Sequence, residues 1–124
     1  MPEASAHIKK AEHNESFAVA VRGLSVEFLD WVATAYFYAA LHYLEAYLAV
    51  NPMGRHPSTH GERQGYVAKI FSRKSYASFS YLKDKSETAR YDTRLFSAQD
   101  IDANLIPRFE SFKNEALSLL SSWI

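Results

Sequence analysis

The chain has 124 residues, 48% of them apolar, and its 14 Lys and Arg balance 14 Asp and Glu. That length fits one domain, residues 1–124, with enough apolar material for a core. Zero net charge excludes a global basic field for nucleic acid, so such binding needs a local patch or one shared across a dimer.

Cysteine is absent, which excludes disulfides and thiolate metal sites. No apolar run approaches the roughly 20 residues of a membrane span. The opening MPEASAHIKKAEH lacks the apolar stretch of a secretory signal. A cytoplasmic protein without membrane contact is the expectation. Eight Tyr and eight Phe are many for this length. Large rings suit a stiff helical core or an interface.

Glycine and proline are few, and they divide the chain into helices. The first segment is expected over residues 4–22, closed by Gly23. The second runs over 26–50, with Ser25 as N-cap and Asn51-Pro52 as the stop. On it Phe28, Trp31, Ala35, Tyr38, His42, Glu45 and Ala49 recur in steps of three and four, one helical stripe. At 1.5 Å per residue this helix is about 37 Å long, the spine of the domain. Residues 51–59 form a loop. Thr59 and Glu62 then match a capping box that starts a third helix over 60–73. The fourth covers 75–91. A second capping box, Ser97 and Asp100, starts the fifth, 97–120, which Pro107 should kink or split near Ile106. No stretch alternates with a period of two. The expected fold is all-α, an antiparallel up-and-down bundle of four to five helices.

Tyr38, His42 and Glu45 put polar groups on the spine. His42 and Glu45 are three apart and share a face. Buried without partners, each would cost on the order of 1–3 kcal/mol. Arg63 and Arg90 are the available cations. The cluster is either a polar pocket wall or a network that fixes how helices dock. A di-iron set is not expected, because Glu-x-x-His occurs nowhere in the chain. No metal or other cofactor is implied.

The segment RHPSTHGER, residues 55–63, packs two histidines and three arginine or glutamate charges around one proline and one glycine. Arg55 and His60 form a chemically sensible catalytic pair. A neutral histidine can take a 2′-hydroxyl proton, and a guanidinium can hold the phosphate without metal. The structural alternative is that the segment turns the chain and His60 simply opens a helix. At that position the helix dipole disfavours the imidazolium.

Taken in order, AEHNESFAV, WVATAYFYAALHYLEAYLA, HPSTHGER and YLKDKSETARYD resemble the HEPN domain family (higher eukaryotes and prokaryotes nucleotide-binding), in a non-standard subfamily. The resemblance covers roughly residues 6 to 120. It implies a helical bundle that dimerises, in a prokaryotic cytoplasmic setting of defence or toxin–antitoxin type. Some members are metal-independent ribonucleases with the signature Arg, then Asn, Asp or His, then three residues and His. Arg55, His56 and His60 satisfy that pattern. Others bind nucleotides or act as scaffolds. Two functions are therefore expected side by side. One is an RNA- or nucleotide-binding module, possible as a ribonuclease, with Tyr38, His42, Glu45, Arg63, Tyr81 and Arg90 around a cleft and the two tyrosines able to stack a base. The other is a dimeric scaffold without catalysis, paired with a partner such as a nucleotidyltransferase or antitoxin.

Overall fold

The computed structural model describes residues 3–51, 59–93 and 95–122. Every regular element among them is helical: α1 (Ala4–Leu24), α2 (Leu29–Val50), α3 (His60–Ile70), α4 (Arg73–Tyr91) and a short α5 (Ala98–Asp100). The last runs without a break through a π-helical turn (Ile101–Leu105) into α6 (Ile106–Ser121).

Residue pairings set the helix directions. His7 meets His42, so α1 and α2 are antiparallel about their short connection. Phe37 meets Phe79 and Tyr47 meets Phe71, so α4 runs back along α2. Glu15 meets Lys113 and Arg22 meets Asp102, so α6 returns along α1. The result is the expected up-and-down bundle, with α3 as a short extra helix beside α4.

Helix α2 is its spine. It packs against α1, α4 and α6, and buries residues on nearly every side. An aromatic cluster fills the space between helices. Phe112 of α6 stacks on Phe71 at 4.9 Å and tilts against Phe79 at 5.0 Å, while Tyr36 meets Phe109 at 4.9 Å. Such pairs add about 0.5–1.5 kcal/mol each beyond the area they bury.

The helix starts follow local chemistry. Thr59 Oγ1 accepts from Glu62 N, and Ser97 Oγ accepts from Asp100 N, as the two capping patterns require. Ser25 does not cap α2. Its hydroxyl accepts from Glu27 N in the connecting turn, and the helix begins at Leu29, three residues later than the spacing predicts, behind Phe28. Helix α4 starts earlier than the spacing predicts, because Ser72 is its cap.

Pro107 does not split the last helix, which continues through a π-helical turn into α6. It has no N–H to give to Ala103, and its ring would crowd that carbonyl. The chain widens by one residue in the preceding turn instead, which relieves both problems within a continuous helix.

Candidate functional site

Three polar side chains on successive turns of α2 each meet a different helix. Tyr38 meets α4, where Arg90 Nη1 donates to the Tyr38 hydroxyl at 3.2 Å and to Ser86 Oγ at 2.8 Å. His42 meets α1, with its Nδ1 3.1 Å from Nδ1 of His7. Glu45 meets α3, where Arg63 Nε donates to Oε1 at 2.7 Å. Glu45 is only 1% exposed, so this carboxylate is a core group.

Both cations singled out from the sequence therefore reach the spine, at different turns. Arg63 and Glu45 make a buried ion pair. Arg90 is held by hydroxyls and by the faces of Tyr38 and Tyr91, at 5.6 and 5.4 Å. Tyr81 stands elsewhere. Its ring lies under Arg108 of α6 at 4.5 Å and near Lys85 at 5.4 Å. His60 is the first residue of α3, directly behind the Thr59 cap. Arg55, His56 and the side chain of His60 lie outside the described residues.

The electrostatics of the row favour a neutral His42. Burial lowers its pKa, and His7, Lys10 and Arg63 push the same way against the opposing carboxylate of Glu45. On the other side of α1, Tyr43 donates to Glu15, which also holds Lys113 at 3.0 Å. Burial and that carboxylate raise the Tyr43 pKa. Burial is also the main reason Tyr36 is pushed up to about 12. Both tyrosines stay protonated, and Tyr43 acts as a structural donor.

The stripe read from α2 opens to solvent at its start and sinks into the core by Glu45. Trp31 is 55% exposed, and Phe28 is also exposed. With α1 this face forms a groove of about 430 Å³. Phe17, Trp31 and Tyr38 supply rings, Ala35 lies between them, and Lys10, His13, Asn14 and His42 supply polar groups. That volume suits a small organic ligand.

The α1 half of the site is absent from the sequence reading. Its signal was present as His7, Lys10, Asn14 and Phe17, in steps of three and four along one helical face. Among the described residues no three His, Asp or Glu side chains come together as a metal site would need. Nor is any helix among them long and apolar enough to cross a membrane. No known family model and no curated protein matches this chain.

Proposed function

We propose that this chain is a HEPN-like, non-catalytic binding module that takes a nucleotide or a short stretch of RNA in the groove between α1 and α2. One observation carries the reading: Phe17, Trp31 and Tyr38 present rings to a single groove that also contains Lys10 and His13. Base-on-ring stacking contributes roughly 1–3 kcal/mol per base. Lys10 supplies the phosphate contact that a neutral chain must provide locally. The polar row behind the groove is engaged in holding helices, which favours binding over catalysis.

The module works as a homodimer in a prokaryotic, cytoplasmic defence or toxin–antitoxin system, beside a partner such as a nucleotidyltransferase or antitoxin. The support is that Val26 and Leu95, both exposed, line one hollow with Leu29 and Phe96, and that Leu24, Phe28 and Tyr91 are exposed as well. Large apolar patches of this kind mark protein interfaces.

The test is titration of the full chain with ATP, GTP and a labelled oligoribonucleotide, read by Trp fluorescence and by melting temperature. Saturable binding that Trp31→Ala and Phe17→Ala weaken is expected. Failure of all three ligands to change either signal sinks the binding reading.

The second reading is a metal-independent ribonuclease using Arg55 and His60. It is favoured by the position of His60 as the first residue of α3, directly behind the Thr59 cap. Incubation with mixed RNA in EDTA separates the two. RNA decay lost in His60→Ala supports the nuclease; equal decay with both proteins removes it.

A further inference from the structure

The outer groove between α4 and α6 holds a second cavity of about 430 Å³, lined by Lys74, Ser78, Asn104, Pro107, Arg108 and Ser111 among others. It shares no lining residue with the α1–α2 groove.

Its polar groups are mostly donors in want of an acceptor. Ser78 is 3% exposed and lines the cavity, so its hydroxyl is placed to donate to a ligand there. Arg22, Arg63, Lys83, Lys85 and Lys113 each have a carboxylate. Lys74 and Arg108 form no ion pair among the described residues. The Arg108 guanidinium is braced over Tyr81 at 4.5 Å instead. Stacking on a ring fixes the plane of a guanidinium and leaves its N–H edges available.

The nearest carboxylates are already engaged. Asp100 accepts from Asn104 Nδ2 at 2.7 Å and lies 3.6 Å from Lys85. Glu115 accepts from Ser72 and Ser75 at the start of α4. The widened turn at Ile101–Leu105 brings Asn104 to the lip of the cavity.

We propose that this groove binds a tetrahedral oxyanion, a phosphate group, with Arg108 and Lys74 neutralising it and the hydroxyls of Ser78 and Ser111 donating to its oxygens. A metal cation would meet two positive charges here. A neutral ligand would leave both cations without a counter-charge. A phosphate answers both cations and also accepts from the lining hydroxyls, through charge-assisted hydrogen bonds. The site stands independently of any ligand in the α1–α2 groove.

The experiment is an amide NMR titration of the full chain with sodium phosphate, against sodium chloride at matched ionic strength. Saturable shifts confined to residues 74–78 and 103–111 are expected. Arg108→Gln and the exposed Lys74→Gln should each weaken binding about tenfold, the effect of removing one charge-assisted hydrogen bond. Ser78→Ala should weaken it with the fold intact, and Trp31→Ala should leave it unchanged. Glycerol 2-phosphate and glycerol in parallel identify the source. Binding of the ester but not glycerol points to a phosphomonoester, whereas binding of inorganic phosphate alone points to the free ion. Phosphate shifts no different from chloride overturn the proposal. So does unchanged phosphate binding in the Lys74→Gln/Arg108→Gln double variant.

Discussion

The Nδ1 atoms of His7 and His42 lie 3.1 Å apart, so two imidazoles meet where α1 packs on the spine of the bundle. The rings are 28° from parallel, with centroids 5.3 Å apart. Such a contact needs one N–H and one bare nitrogen, so at least one ring must be neutral while it holds. A second proton would set two N–H groups against each other, beside Lys10 and Arg63.

A pH dependence follows. His42 titrates below its ordinary 6.5 in the fold, because burial and then the neighbouring His7 disfavour its charge. A group whose pKa is depressed by folding contributes stability that is complete above its unfolded value. That stability is lost as pH falls through the lower, folded value. Melting temperature should therefore hold above about pH 6.5 and fall as the solution is acidified. His42→Ala should lower the melting temperature at neutral pH, by on the order of 1–3 kcal/mol of stability, and should flatten the acid limb. A wild-type curve that is level from neutral to mildly acidic pH would show that the clasp does not titrate.

The Arg63–Glu45 pair should behave differently in single and double variants. Glu45 has 2% side-chain exposure and Arg63 has 18%, so the carboxylate is the buried partner. Arg63→Met takes the guanidinium away from that carboxylate and should cost about 3–5 kcal/mol. Replacing both residues, as Glu45→Leu with Arg63→Met, removes the charge along with its partner and should cost much less. Urea denaturation of the two single variants and the double variant closes the cycle. Additive losses would mean that the two groups do not interact in solution.

What could be read from the sequence tracks how local the signal is. Thr59/Glu62 and Ser97/Asp100 carry their capping chemistry within four residues, and both caps form as spaced. The facing of α2 was not legible. A helix apolar on all sides has no phase, and the stripe from Phe28 to Glu45 passes from open surface to sealed core along its length. Arg63 and Arg90 could be named as partners because buried acids and phenols demand donors. His7 could not, because nothing in its own surroundings in the chain marks it as the residue that will lie beside His42, 35 positions away. Tyr81 looked equivalent to Tyr38, yet the turn of α4 carries it toward Arg108.

Glu115 supplies a second acid-sensitive contact, this time between α6 and the start of α4. Its carboxylate accepts from Ser72 N at 2.9 Å and from the hydroxyls of Ser72 and Ser75. Burial alone would raise its pKa. The hydrogen bonds from Ser72 and Ser75 outweigh burial and set it below the ordinary 4.5. The stability it adds is present above that ordinary value and disappears as pH falls through the lowered one. Glu115→Ala should cost about 1 kcal/mol at neutral pH, the usual effect of losing an N-terminal cap. The deficit should shrink toward zero in strong acid. A deficit of the same size at both pH values would assign the loss to packing instead.

Trp31 separates binding from folding. It is 55% exposed at the mouth of the α1–α2 groove, so its indole contributes little to the core. Trp31→Ala should change stability by no more than about 0.5 kcal/mol, as exposed substitutions usually do. His42→Ala, about three turns further along the same face, should change it substantially. If the groove takes a base, the same Trp31→Ala should lose roughly 1–3 kcal/mol of ligand affinity, a five- to hundred-fold weaker dissociation constant by fluorescence polarisation of a labelled oligoribonucleotide. A large stability loss in Trp31→Ala with affinity unchanged would reverse the assignment: the ring would be structural, and the face of α2 that carries it would be covered in the working protein.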